Sequence, residues 1–202
     1  MFFSFEGIDG SGKSTQARLL ADALRQRGHD VVEVREPGGT ALGERIRALL
    51  LDPDGVVNGR AELLLFSAAR AQLVADVIQP ALARGTVVIA DRFHDSATAY
   101  QGAGRRLADP EWMAALHRFA TFNTLPARTY WVDVGLETAA ARRGDRASDR
   151  MEQGGDRYFE RIREAYRAIA GAEPERVVPL DGHASVEELH ATVLDDAHEH
   201  LS

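Results

Sequence analysis

The chain reads as an α/β protein built on a parallel sheet with helices on both faces. Two observations predict this. Short strand-like runs alternate with helix-like runs along the whole length of 202 residues. The strand-like runs are apolar at nearly every position, as strands buried on both sides are, and not at every second one. No internal repeat or low-complexity linker divides the chain, so residues 1–202 are expected to form one domain. Ligands of such sheets gather at the carboxyl ends of the strands, which directs attention to the polar segments after the first three.

Phe2 to Glu6 is the first strand, followed by a glycine-rich turn and a helix from about Lys13 to Arg27 that stops at Gly28, a natural C-cap. Val31 to Arg35 is the second strand, broken by "EPGGT". Leu42, Ile46, Leu49 and Leu50 recur at helical spacing within Ala41 to Leu51, ahead of a "DPDG" turn. A long helix is predicted from about Arg60 to Ile78, then an apolar strand from Thr86 to Ala90 that ends at Asp91. Glu111 to Thr121 is helical and Thr129 to Val134 is a strand. Helices at about Leu136 to Arg142 and Asp156 to Ile169 flank an arginine-rich segment, "RRGDRASDRMEQGG". Val177 to Leu180 is the last strand, and the closing helix opens on Ser185 and Glu188 at capping-box spacing.

A net charge of −7 argues against a broad nucleic-acid or anionic-membrane surface, so local arginine clusters should have local jobs. There is no cysteine, which excludes disulfides and thiolate metal sites and fits a reducing, cytoplasmic setting. The opening "MFFSF" meets Glu6 too early for a signal peptide, and no later apolar run approaches the roughly 20 residues of a spanning helix.

Gly7-Ile8-Asp9-Gly10-Ser11-Gly12-Lys13-Ser14 fits G-x-x-x-x-G-K-[ST] without a mismatch, with a strand before it and a helix after it. In such a P-loop the glycines let backbone N–H groups turn inward around phosphate oxygens, and the helix N-terminus adds partial positive charge. Lys13 is expected to reach the β- and γ-phosphates and Ser14 to hold Mg²⁺. Lys13 is also the chain's single lysine, beside twenty-three arginines. A slim point charge suits a narrow anion pocket that a planar guanidinium fork would overfill. Asp91, delivered by "TVVIAD" beside the loop, can organise Mg²⁺ through water.

The loop alone leaves GTPases, motors, switches and kinases open. A chain whose one lysine is Lys13 cannot carry the N-K-x-D guanine motif, nor the second signature lysine of partitioning-type switches. Four further segments narrow the class: "REPGGT" (Arg35 to Thr40), "LLFSAAR" (Leu64 to Arg70), "DRFHDSATAYQG" (Asp91 to Gly102) and the arginine-rich stretch after the fourth strand. In this order and spacing, from first strand to last helix, they resemble thymidylate kinase.

The resemblance implies a P-loop NTPase fold with a five-stranded parallel sheet and an arginine-rich lid at about residues 142–154. It implies ATP-dependent phosphorylation of dTMP to dTDP with Mg²⁺, and a homodimer packed largely through helices that include the long third one. ATP contacts would run through Gly7 to Thr15 and Arg142. The thymine ring would stack on Phe66 and bond to Arg70, which share a helix face four residues apart. Asp9 would approach the sugar 3′-hydroxyl and Tyr100 would crowd a 2′-hydroxyl. Arg92 would bridge the two phosphates, and Arg35 would help hold the acceptor phosphate. Pro37, in a Glu36–Pro37 bond expected to be cis, with Ser96 and Gln101, would complete the substrate pocket. Many relatives carry a polar residue where this chain has Ala97, which leaves Thr98 or Gln101 to meet the ring nitrogen.

Phosphoryl transfer rests on positioning and charge neutralisation, and the attacking phosphate oxygen is already ionised, so no general base is required. One branch of the family places a transition-state arginine inside the loop, where this chain has Gly10. The lid arginines Arg142, Arg143, Arg146 and Arg150 are then the available cations, as in the bacterial branch, with Arg143 first and Arg146 second. An arginine restored at Gly10 is expected to recover part of the rate lost without Arg143. Two alternatives stand beside this reading: a kinase for UMP, CMP or GMP, and a nucleotide-binding switch that does not turn over.

Overall fold

The computed structural model describes residues 1–144 and 150–201. β1 (Phe2–Glu6), β2 (Val31–Arg35), β3 (Val87–Asp91), β4 (Arg128–Asp133) and β5 (Val177–Asp181) form a parallel sheet in the order β2-β3-β1-β4-β5. The register sets Phe5 and Arg35 beside Asp91, so the carboxyl ends of the three strands on one side of the sheet are level. β1, the strand that enters the phosphate loop, is central.

Alternation along β1 sorts its side chains between two faces. Phe3 and Phe5 are fully buried against α1 (Lys13–Gln26) through Leu20 and Leu24. Each such burial contributes on the order of 1.5–3 kcal/mol. Phe2 faces the other layer, with Leu73, Ile78 and Phe93. Ser4 and Glu6 share that second face, and both are completely buried. Ser4 Oγ is satisfied by Thr129 Oγ1 at 2.7 Å.

α2 (Ala41–Leu51) begins at Thr40, whose hydroxyl accepts from Gly43 N, as an N-cap should. The helix predicted from Arg60 to Ile78 is α3 (Gly59–Leu73) followed by a π-helical turn (Val74–Ile78), and α4 (Gln79–Ala83) carries it past the predicted end. Pro80 is the physical reason for the π-helical turn. It has no N–H and would clash with the carbonyl four residues back, and a widened turn relieves both.

The stretch after β3 had no predicted element, yet α5 (His94–Ala97) runs into a second π-helical segment (Thr98–Gly104). Its small residues and two glycines hide the apolar period that marks a helix. α6 (Pro110–Thr121) is capped by Asp109, and α7 (Leu136–Arg143) leads toward the arginine-rich segment. A short 3₁₀ turn (Arg150–Gln153) precedes α8 (Asp156–Ala172). α9 (Val186–Leu201) carries the capping box: Glu188 N donates to Ser185 Oγ, and Ser185 N donates to Glu188 Oε2. Tyr158, Ile162 and Tyr166 of α8 pack with Trp131 and Tyr100 on the same side of the sheet as α3.

Candidate active site

The turn from β1 to α1 is shaped by its glycines. Gly10 has φ +87° and Gly12 φ +102°, a region that residues with a Cβ rarely enter. A Cβ on Gly10 would lie 2.3 Å from the Ala139 carbonyl oxygen. An arginine at Gly10 has no room in this arrangement, which argues against the expected rescue by that substitution. Gly7, Ile8 and Ser11 complete the loop: Ser11 N donates to Ile8 O at 3.1 Å, and Gly7 abuts Val132.

Lys13 opens α1 and is 5% exposed. Its Nζ donates to Asp9 Oδ1 at 3.1 Å. Burial, reinforced by the nearby Arg92 charge, lowers the ammonium pKa, while Asp9 and Asp91 oppose that shift. One cleft is lined by Gly10 to Gln16, with Arg142 across from the loop and Ala184, Val186 and Leu189 beyond it. Thr15 is in this cleft, as expected. Arg142 Nη1 donates to Ser11 O at 3.2 Å and Arg143 Nη1 to Asp9 O at 3.1 Å, so the end of α7 is docked on the loop. Arg146 lies outside the described residues. Arg150 has other work: its guanidinium is buried in an ion pair with Glu62 at 2.6 Å and also donates to Leu50 O. It is thus withdrawn from the cations open to a phosphate.

Ser14 Oγ donates to Asp91 Oδ2 at 2.5 Å, and Asp91 Oδ1 is buried without a hydrogen-bond partner. A hydroxyl and an unsatisfied carboxylate oxygen, both hard donors beside the phosphate loop, fit Mg²⁺. That ion typically takes one or two protein oxygens and completes its shell with phosphate and water. Among the described residues no group of three or more His, Asp or Glu gathers elsewhere into a metal cage.

A second cleft adjoins the first at Asp9. It is lined by Glu36, Pro37, Arg47, Phe66, Arg70, Arg92, Ser96, Ala97, Tyr100 and Gln101, with Leu51 and Met151 at its apolar side. Eight of the expected pocket residues thus come together: Asp9, Pro37, Phe66, Arg70, Arg92, Ser96, Tyr100 and Gln101. Glu36–Pro37 is cis. Arg70 is 1% exposed and pairs with Glu36, Nε to Oε2 at 2.9 Å and Nη2 to Oε2 at 2.5 Å. Its remaining nitrogen, Nη1, is buried with no partner and belongs to a side chain that lines the cleft. An orphaned guanidinium donor beside the Phe66 ring is a ready site for a carbonyl on a flat ring.

Arg92 has φ +71°, unusual for a residue with a side chain. Its guanidinium donates to Asp9 Oδ1 at 2.9 Å, Ser96 Oγ at 3.0 Å and Tyr100 Oη at 3.1 Å, and lies 5.0 Å from the Tyr100 ring centre. Burial alone would raise the Asp9 pKa, but the Arg92 and Lys13 charges outweigh it and hold the carboxyl well below the usual range.

Arg35 is not in this cleft. Arg35 is the last residue of β2, pairs with Glu44 at 3.1 Å and is 55% exposed, while Glu36, just past the strand, is buried. Arg47 of α2 lines the cleft instead, and it donates to Pro37 O at 2.8 Å. The sequence reading also missed Glu6, which ends β1. Its carboxylate accepts from Phe93 N (2.8 Å), Ser96 Oγ (2.5 Å) and Tyr166 Oη (2.8 Å). The Phe93 N–H bond, with a longer one from Ser96 N at 3.3 Å, fixes the backbone just after Arg92. The available signal was a lone acidic residue ending an apolar strand directly before the phosphate loop. Thr98 is bonded to His117 and the His94 carbonyl and does not line the cleft, so of the two it is Gln101 that does.

A parallel sheet whose central strand turns through a phosphate loop into a helix defines a P-loop nucleotide-binding protein. Its second cleft, meeting the loop at an Asp–Arg–Lys cluster, gives it the form of a nucleotide kinase. Residues 5–193 match the family model described as thymidylate kinase, and the chain belongs to that family. It is 48% identical over 194 residues to the thymidylate kinase of Fervidobacterium nodosum, covering 96% of each chain. It is 44% identical to that of Thermosipho africanus, covering 100% of this chain and 99% of the relative. The crystal structure of thymidylate kinase from Ehrlichia chaffeensis superposes with a TM-score of 0.79 at 33% identity, over 98% of both chains.

Proposed function

We propose that this protein transfers the γ-phosphoryl group of ATP to dTMP, giving ADP and dTDP. The observation that carries this is the Lys13–Asp9–Arg92 cluster at the meeting point of the two clefts. The loop cleft receives the ATP phosphates on backbone N–H groups and Lys13. The second cleft receives dTMP, with thymine against Phe66, a ring carbonyl on Arg70 Nη1 and the sugar beside Tyr100 and Asp9. Ser96 holds Arg92 for the bridge between donor and acceptor phosphates, and Arg47 takes the acceptor-phosphate role first given to Arg35.

In the reaction an ionised dTMP phosphate oxygen forms a bond to the γ-phosphorus as the bond to the ADP oxygen breaks. No proton need move. Mg²⁺, held at Ser14 and Asp91 when bound, neutralises phosphate charge. Arg143 supplies further positive charge from α7, with Arg146 next in line.

We place the protein in the cytoplasm, consistent with a chain that has no cysteine. Among the described residues no helix is long and apolar enough to cross a membrane. A homodimer formed through α3 and α6 would cover their exposed Leu64, Trp112 and Phe119. The deciding experiment is a coupled ADP assay across the nucleoside monophosphates. Steady ADP release strictly dependent on dTMP supports the reading. Preference for UMP, CMP or GMP would assign a different kinase, and binding without turnover would assign a switch.

A further inference from the structure

Glu62 of α3 is completely buried, and every acceptor position of its carboxylate is taken. Oε1 accepts from Gln101 Nε2 at 2.8 Å and Arg105 Nε at 2.6 Å. Oε2 accepts from Arg105 Nη2 at 2.9 Å and Arg150 Nη1 at 2.6 Å. Gln101 is itself 1% exposed and lines the second cleft beside Ala97 and Arg70.

A side-chain amide has two faces of opposite character, NH₂ donors and a carbonyl acceptor, and by itself it can present either. A carboxylate offers acceptors only. Gln101 must therefore turn its NH₂ end to Glu62 and spend one N–H there, which leaves Oε1 as its acceptor for a ligand. Two guanidinium groups hold Glu62 from the other side, so the carboxylate cannot turn away.

We propose that Glu62 is a positioning residue for base selection: it locks the Gln101 amide with Oε1 toward the ligand, so the cleft accepts a pyrimidine with N–H at ring position 3 and refuses one with a lone pair there. This rests on the reading of the cleft as the thymidylate pocket. Thymine and uracil carry that N–H next to a carbonyl, matching Oε1 of Gln101 and Nη1 of Arg70 together. Cytosine presents a lone pair and an amino group, so it meets an acceptor with an acceptor and a donor with a donor. Ala97 contributes no polar atom, so ring-nitrogen selection passes to Gln101 and its orientation to Glu62.

The test is Glu62→Gln, which keeps the shape but can donate as well as accept, freeing the Gln101 amide to flip. The ratio of kcat/KM for dCMP to that for dTMP should rise about tenfold or more, the scale on which a mispaired buried group discriminates. The ratio of dUMP to dTMP should stay within about twofold, because both bases carry the N–H. An unchanged dCMP ratio, or an equal loss on all three substrates, overturns the proposal. Gln101→Met removes the amide at similar volume and guards against a Glu62 variant that fails to fold. It should lose the same dTMP-over-dCMP preference, and a retained preference overturns the proposal. Calorimetric titration with dTMP and dCMP reads the same ratios without turnover. Selective dTMP binding by a chain that makes no ADP would sink the kinase reading while leaving the role of Glu62 standing.

Discussion

Lys13 and Arg92 meet on a single oxygen atom, Asp9 Oδ1, at 3.1 and 2.9 Å. One carboxylate thus holds two cations side by side that would otherwise repel, one facing each cleft. If Lys13 is lost, Asp9 keeps its bond to Arg92, and the fold loses little. We expect Lys13→Ala to lower kcat/KM by about 10²-fold or more, the usual cost of removing a cation from phosphoryl transfer. Its far-UV circular dichroism should match wild type. A loss below about tenfold in a folded variant would remove Lys13 from the chemistry.

Tyr100 packs its ring under Arg92 and is 5% exposed. Tyr100→Ala should raise activity on the ribose counterpart of dTMP relative to dTMP, because the bulk that crowds a 2′-hydroxyl is gone. Removing so large a buried ring should also lower stability by about 3–5 kcal/mol. Tyr100→Phe separates the two effects: it keeps the bulk, and hence the selectivity, while losing only the bond to Arg92. Equal sugar selectivity in all three proteins would make Tyr100 a packing residue.

Arg143 already reaches the Asp9 carbonyl from α7, and we expect Arg143→Ala to lower kcat by about 10²–10⁴-fold with dTMP affinity little changed. Adding Gly10→Arg should give no rescue and a lower Tm, since the new side chain would need a positive φ and the space held by the Ala139 carbonyl. Recovery of rate in that double variant would mean that α7 moves off the loop more easily than its contacts imply. Full activity after replacing both Arg143 and Arg146 by alanine would reduce the segment to a solvated surface.

Glu6 gives the protein a pH signature. Burial, aided by the nearby Asp95 charge, pushes its carboxyl up to about 7, against the pull of Arg92 and its hydrogen bonds. Below pH 4.5 the group is protonated in both folded and unfolded chains. Between 4.5 and about 7 the folded chain holds the proton and the unfolded chain has lost it, so stability from this group declines as pH rises through that window. Denaturant titrations at pH 5 and pH 8 should show the decline, and Glu6→Gln should flatten it. An identical slope in the variant would assign the effect elsewhere.

Local signals in the sequence carried much of this architecture. The phosphate loop is eight consecutive residues whose conformational demands are written in its glycines, and the five strands are short, largely apolar runs. Residues whose role depends on distant partners were not legible. Glu6 meets Tyr166 across 160 positions and Glu62 meets Gln101 across 39; Glu6 had only its place at the end of an apolar strand to mark it, and Glu62 had no local mark at all. Arg35 ends β2 and turns from the cleft toward Glu44, and nothing in the motif itself shows which way its side chain points. Arg47, on the next helix, became visible only with the cleft.

The fit of Gly7 against Val132 and of Gly10 against Ala139 bears on the thermodynamics of nucleotide capture. Glycine has more conformational freedom to lose than any other residue, and a floppy loop would surrender that freedom each time a phosphate arrived. Here neighbouring backbone fixes the loop as the chain folds, so its ordering belongs to the folding equilibrium and not to the binding one. Phosphate affinity can then reflect the N–H groups and Lys13 with little entropic deduction. A change that shifts the backbone behind the loop, at Val132 or Ala139, would weaken nucleotide binding without touching the nucleotide.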